Sequence, residues 1–509
     1  MEFLSTAPLP SIAISLFVVL GIAAIFLRKK KKKYPPVAGT VIHQLINAVR
    51  LHHYMTELAC KYRTYRMVDL FRFAVYTVDP ANIEYILKTN FPNYGKGLYL
   101  YNILSDVLRD GIVAVDGEKW RHQRKVASSE FSNKVIRDYS SEILKTNAVK
   151  LARIISEAVN HDEAIEIQDL FTKATLDSIV KVLLGIDLDT LSGNEEGIQF
   201  SKAFERAFEA VIYRLADISW KMKRFLNIGR EAVLRKNMIV VDKFLYKLVK
   251  SKIETIGNSE DDQPYLKKRD LISAVLKTEG DTDPKYLRDM VLFFIVGGKD
   301  TVATGLSWFV YMMCEHPHIQ EKIAQEVRIA IGLNNASSAD EVAANLTEEA
   351  LGKMQYLHAT LAETLRLYPP VPMDGRVCFA DDTLPDGFSI KKGELVAYKP
   401  FAMGLMKFLW GDDAEEFRPD RWLDENGIFH EESPFKFTTF HAGPRICPGK
   451  KYGYMQMKIF SAVLLGTYIF KMSDENKNVN YKSMFTLHID GGLYVHASPR
   501  FEHGRQLQY

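Results

Sequence analysis

The sequence predicts a mainly α fold with small β-sheets, arranged as a single large domain behind an N-terminal transmembrane anchor. Three observations lead there. From about residue 118 the chain runs in amphipathic stretches broken by Gly, Asn and Pro, the pattern of helices packed on a core. Residues 64–78, and parts of the last hundred, are rich in β-branched and aromatic types bounded by turns, which suits small strands. Residues 7–27 carry no charged side chain, and at about 1.5 Å per residue such a run can cross a bilayer as a helix.

The 509 residues, 47% of them hydrophobic, suffice for a large core, and no linker divides them. The net charge is +3, yet residues 28–33 alone hold six positives, so the remainder sums to −3. Without a broad basic face, a nucleic-acid partner is excluded. Four cysteines (Cys60, Cys314, Cys378 and Cys447) show neither CxxC pairs nor a disulfide framework, which fits a reducing compartment. Cys314 lies in an apolar helical run and reads as a core residue. No internal repeat is visible.

The elements follow in chain order. The basic cluster comes after the apolar run, the reverse of a cleavable signal peptide, so residues 1–33 read as a retained anchor and basic stop. The positive-inside rule then places residue 28 onward in the cytosol, where the sequons at Asn335 and Asn345 stay unmodified. Tyr34-Pro35-Pro36-Val37-Ala38-Gly39 is a proline-stiffened hinge over 34–39, and 40–509 forms the main domain. Two strands are expected within 64–78, then a helix opened by the cap Asp79 and by Pro80. Residues 257–264 read as a surface loop. Asp283-Pro284 opens an unusually long helix that Pro317 ends. Paired Gly297 and Gly298 predict a local kink or widening in its middle, where Thr301 can bond a carbonyl or a water.

Chemistry concentrates in Phe440-His441-Ala442-Gly443-Pro444-Arg445-Ile446-Cys447-Pro448-Gly449. Glycines on both sides of Cys447 permit a tight turn with amides near sulfur, and a helix start behind it favours the thiolate. A thiolate is a ligand that favours O–O cleavage at haem iron, and Arg445 suits a propionate. This loop resembles the haem-binding signature of the cytochrome P-450 monooxygenases, and the proline hinge is similar to that of their microsomal members.

The resemblance extends over almost the whole chain after residue 34. It implies haem b with Cys447 as the axial ligand and Phe440 and Arg445 against the haem. Gly297-Gly298-Lys299-Asp300-Thr301-Val302 resembles the oxygen-activation segment, so Asp300 and Thr301 are the expected catalytic proton relay. Val302 replaces the more usual Thr or Ser. Gly297 replaces the Glu of animal ω-hydroxylases, so no ester link to haem is expected. Trp120 and Arg124, at i and i+4, match the helix that meets a propionate; alone they also suit an ordinary aromatic–cation pair. Glu363, Arg366 and Arg421 are implied to form a buried ion network supporting the cysteine loop. Arg121, Lys125, Lys450 and Lys451 are candidates for a face that steers an acidic electron donor.

No GxGxxG loop in a βαβ setting is present, so electrons from NADPH are expected through a separate membrane-bound cytochrome reductase. Residues 90–97 and 214–229 resemble segments of the plant fatty-acid ω-hydroxylase clan. The implied reaction is ω-hydroxylation of a long-chain fatty acid at the endoplasmic reticulum membrane, by a single-pass protein. A terpenoid, sterol or other lipophile is the alternative substrate. An O2-independent isomerase or dehydratase is disfavoured by Asp300-Thr301. Expected pocket segments are the loop 98–113, the helix near 208–220, Phe293, Phe294, Val371, Met373 and the turn Phe485-Thr486-Leu487-His488, mostly apolar as an acyl chain requires.

Overall fold

The computed structural model describes residues 33–68, 72–132, 134–215, 217–257, 270–279, 283–333, 338–502 and 505–506. The predicted anchor, the sequon at Asn335 and the predicted surface loop beyond residue 257 lie outside them.

Helices form the body and one mixed sheet forms a flank. The sheet orders its strands Val37–Thr40, Thr64–Val68, Phe73–Thr77, Leu395–Tyr398, Asp374–Cys378 and Tyr94–Gly95. Thr64–Val68 and Phe73–Thr77 are the strand pair expected within 64–78, joined antiparallel. The hinge assignment needs correction at one end. Val37–Thr40 runs parallel to Thr64–Val68 as the outer strand, so the 34–39 segment ends inside the fold. Asp79 caps the next helix by accepting from the Ala81 amide at 2.9 Å, with Pro80 in its first turn.

The core is built by Ile167–Leu184, Asp300–Glu315, Lys134–Asn160 and Lys450–Thr467 packing on one another. Their inward faces carry Phe171, Leu176, Trp308, Phe309, Phe460 and Leu464, each at most 1% exposed. Residues Pro284–Glu315 form the long apolar run, 32 residues, mostly buried within the molecule. It is interrupted rather than continuous: Pro284–Gly298 ends at Lys299 (φ −91°, ψ −78°), and Asp300–Glu315 follows. Gly298 explains the packing there. A Cβ on it would sit 2.8 Å from Ile179 Cδ1, so any larger residue would have to push that side chain aside.

The segment 98–113, read from sequence as a loop, is mainly the helix Gly97–Leu108. Both its ends are fastened. Asp116 accepts from the amides of Lys96 and Gly97 at 3.0 and 2.7 Å. At the far end Arg214 donates to the Ile103 carbonyl at 2.9 Å and to Asp106 at 2.7 Å. The same guanidinium forks onto Glu231 at 2.8 and 2.5 Å, and lies over the Trp220 ring at 4.4 Å. Arg214 and Glu231 are both buried. Removing one member of a buried pair leaves the other charge uncompensated. Arg214→Met is therefore expected to destabilise by about 3 kcal/mol and Arg214→Met with Glu231→Leu by clearly less, read as midpoints of urea unfolding.

Candidate active site

The cysteine loop is shaped by two 3-10 turns, Thr438–Phe440 and Gly443–Arg445. They bring the Cys447 amide back to donate to the Phe440 carbonyl at 2.8 Å. Gly443 has φ +63°, and a Cβ there would lie 2.0 Å from the Leu87 carbonyl oxygen. Glycine alone permits both that conformation and that approach. The Phe440 ring packs on Tyr454 at 5.1 Å. Burial pushes the Cys447 thiol up, while the Gly449 amide, Arg124 and Lys450 pull it down. The donors expected from sequence are present, but burial outweighs them. A charged sulfur here calls for a metal partner, which deprotonates a coordinating thiol outright.

Behind the loop stands the fully buried Glu363 carboxylate. It accepts from Arg366 at 2.7 and 2.9 Å, from Arg421 at 2.8 Å and from the Trp422 indole at 2.9 Å. It also accepts the Arg418 amide at 2.9 Å. Arg366 reaches on to the carbonyls of Gly404, Ala414 and Glu416. Thr439, next to Phe440, donates to the Leu365 carbonyl at 3.0 Å and ties the cysteine loop to the same helix.

A cavity of about 580 Å³ opens over Cys447. Around its lower wall stand Lys96, Arg124, Arg376 and Arg445, facing two carboxylates, Asp116 and Asp374. Arg124 donates to the Ile446 carbonyl beside Cys447. Arg445 pairs with Asp116 and lies over Trp120 at 4.6 Å. Lys96 and Arg376 both hold Asp374, at 2.6 and 2.5 Å. Four cations against two anions leave an excess that fits the two propionates of a haem. The strain of that excess is visible. Burial, then Arg376, pushes Lys96 down to about 8 and Arg445 down to about 10. Arg376 Nε, Arg445 Nε and His441 Nδ1 are buried without a hydrogen-bond partner, which is costly unless an anion or other acceptor arrives. The residues present therefore fit a thiolate-ligated haem, which Cys447 and these cations would hold.

Of the expected relay, the structure brings only Thr301 to the cavity. Its hydroxyl donates to the Gly297 carbonyl at 2.5 Å, across the interruption in the helix. Asp300 turns away and accepts from Lys299 Nζ at 2.5 Å. Lys299 is completely buried and also reaches Glu205, half-buried, at 3.4 Å. Burial opposes the Lys299 charge, but Asp300 and Glu205 outweigh it and hold its pKa above the ordinary value.

The remaining walls are apolar. Helix Gly97–Leu108 supplies Leu100, Ile103 and Leu104, and Ile112 and Val113 follow it. Phe293, Phe294, Val371, Met373 and Phe485 line the cavity as the sequence suggested, as do Ile212, Tyr213 and Leu215 from the 208–220 region. Thr486, Leu487 and His488 are not among the lining residues. Sequence reasoning missed Lys96, Arg376 and His441, and the whole stretch from Val41 to His52. Of the four candidate docking cations, Arg121 pairs with Glu118 and Lys450 with Glu431.

Fold and site together define a haem-thiolate protein. Comparison with known proteins agrees: a family profile for cytochrome P-450 matches residues 34–495. The chain is 47% identical over 504 residues to cytochrome P-450 704C1 of Pinus taeda, covering 96% of this chain and 97% of that one. It is 40% identical over 501 residues to cytochrome P-450 704B1 of Arabidopsis thaliana (93% and 95% covered). With cytochrome P-450 CYP94D108 of Paris polyphylla the identity is 35% over 479 residues, at 92% and 93% coverage. This chain belongs to the cytochrome P-450 family, the oxidoreductase monooxygenases that carry haem b.

Two glycines on the cysteine side provide a test. Gly443→Ala is expected to yield protein without haem, read as loss of the Soret band, because its Cβ meets the Leu87 backbone. Gly453→Ala, whose Cβ meets nothing within 4 Å, keeps haem and gains about 0.5–1 kcal/mol of helix stability.

Proposed function

We propose that this protein hydroxylates the ω carbon of a long-chain fatty acid at the endoplasmic reticulum membrane, with electrons from NADPH delivered by a separate cytochrome reductase. The observation that carries this reading is the roof of the cavity. Helix Gly97–Leu108 is fastened at one end through Lys96, Gly97 and Asp116, and at the other through Arg214. Lys96, Gly97 and Arg214 lie in residues 90–97 and 214–229, the two segments that resemble the plant fatty-acid ω-hydroxylase clan. An apolar roof held at both ends suits an acyl chain lying beneath it.

When bound, thiolate-ligated haem supplies reductive O2 activation and insertion of one oxygen atom into a C–H bond. The chain's own residues do the rest. Cys447 would ligate the iron, while Arg124, Arg376, Arg445 and Lys96 neutralise the propionates. Phe293, Phe294 and Val371 exclude bulk water. Thr301 Oγ1 holds a proton inside the cavity. Asp300, one residue away, is the acid placed to resupply it, with Lys299 and Glu205 leading outward to solvent. Residues 7–27 serve as the anchor. Exposed apolar side chains such as Ile46 (77%) and Val49 (86%), beside the cavity-lining stretch from Val41 to His52, suit contact with a lipid surface. Arg121, Lys125, Lys450 and Lys451 are the candidate face for the reductase.

The test is turnover in membranes holding this protein and a reductase, with NADPH and fatty acids of several lengths, the oxygen located by mass spectrometry. Terminal hydroxylation that disappears in Cys447→Ser is expected. A haem-loaded enzyme that oxidises no fatty acid but does oxidise a terpenoid or sterol overturns the substrate assignment. Thr301→Ala should keep haem and lower product formation by about 10²-fold, the usual worth of a positioned proton donor.

A further inference from the structure

One wall of the cavity has no role in the chemistry above. It is a face of the six-stranded sheet, lined by Ala74, Tyr76, Leu395 and Ala397. The register pairs Ala74 with Leu395 and Tyr76 with Ala397, so these four are neighbours on one face. Side chains alternate along a strand, and the next position on that face is Lys399, still extended at φ −125° and ψ 95°. The intervening Tyr398 points the other way and donates to Asp374 at 3.1 Å, within the cation cluster already described. Lys399 thus belongs to a separate place.

Lys399 is 3% exposed. Its ammonium lies 5.2 Å from the centre of the Tyr76 ring, and among the described residues no carboxylate pairs with it. Burial pushes it down to about 7. Nearby stands His52, 5% exposed, a cavity-lining residue held between Phe401 and Tyr481 at 5.5 and 5.3 Å. Both its ring nitrogens are buried without a hydrogen-bond partner. Burial first, and then the Lys399 charge, lowers its pKa. A lone ammonium just behind the apolar wall and an unsatisfied imidazole in it are both costly to the free protein. One anion accepting from both relieves both. The stretch that carries His52 also carries the partly exposed Leu45, so this wall lies toward the open end of the cavity.

We propose that Lys399 and His52 form the receptor for the substrate's carboxylate. The acid is held by its head near the mouth, and its chain runs along the sheet face toward Cys447. This inference rests on the fatty-acid reading and deepens it. It makes Lys399 and His52 positioning residues that select acids over their neutral derivatives and fix which carbon reaches the reacting centre.

The experiment uses the purified holoenzyme with hexadecanoic acid and its methyl ester, binding measured by equilibrium dialysis and product position by mass spectrometry. Lys399→Met and His52→Phe are each expected to weaken acid binding by about tenfold or more, as loss of a charge-assisted hydrogen bond does, with the ester unchanged. Hydroxylation of the acid should spread inward from the terminal carbon. Lys399→Met should also raise Tm, since it removes an unpaired buried charge; a structural lysine would give the opposite. Acid and ester bound alike by the wild type, or acid binding unmoved in both variants while terminal hydroxylation persists, overturns this receptor and leaves the fatty-acid assignment standing. A wild type that binds neither compound overturns both.

Discussion

The structure turns on one buried carboxylate. Glu363 is completely enclosed and accepts from two guanidiniums, an indole and a backbone amide. Such a charge is tolerable in a low-dielectric interior only when every lone pair is met. Meeting them brings together pieces remote in sequence: helix Gln355–Leu367, the carbonyls of Gly404 and Ala414, and the turn Pro419–Trp422. The cysteine loop is fastened to the same helix through Thr439 and leans on the Leu87 backbone through Gly443. Its geometry is therefore inherited from a network that never touches the cavity. The role of Glu363, Arg366 and Arg421 is to leave the sulfur only one place to be.

The cavity itself is divided by chemistry. Its lower rim concentrates cations around Asp374 and Asp116, its roof and walls are apolar, and a helix interruption at Lys299 opens the roofward side at Thr301. The rim holds charge, the apolar surfaces exclude water, and the opening presents a hydroxyl. The interruption separates Thr301 from Asp300 in orientation as well as in sequence. The hydroxyl faces the cavity, while the acid faces a lysine and a path outward.

How much of this is legible in the sequence follows from the range of each interaction. Cys447 with its glycines, Trp120 with Arg124, and Glu363 with Arg366 are local spacings, and local spacing survives in a single sequence. So do Asp79-Pro80 and Asp283-Pro284, which cap helices where expected. The Lys96–Asp374 pair joins residues 278 apart, and no pattern in one chain announces it. The same holds for His52 and Lys399, brought together where helix Leu51–Lys61 packs on Pro400–Gly404. Helix Gly97–Leu108 was hidden because it starts at a glycine with φ +58° and has no side-chain cap. Asp300 could be named, but its turn toward Lys299 depends on a fully enclosed ammonium that reads in sequence as a surface residue. The alternation Leu395, Ala397, Lys399 was the one available hint of a buried lysine on a sheet face.

The Arg214 fastening has a consequence for how the protein responds to ionic strength. Arg214 and Glu231 are sealed from solvent, so dissolved salt screens them little. Arg121, Lys125 and Lys451 lie at the surface, where attraction to a partner falls steeply as ions are added. Raising the salt concentration thus leaves the roof of the cavity in place while, under the proposed function, it slows the encounter with the electron donor. On that proposal, substrate capture and electron supply answer to different properties of the surrounding solution, and the first continues when the second fails.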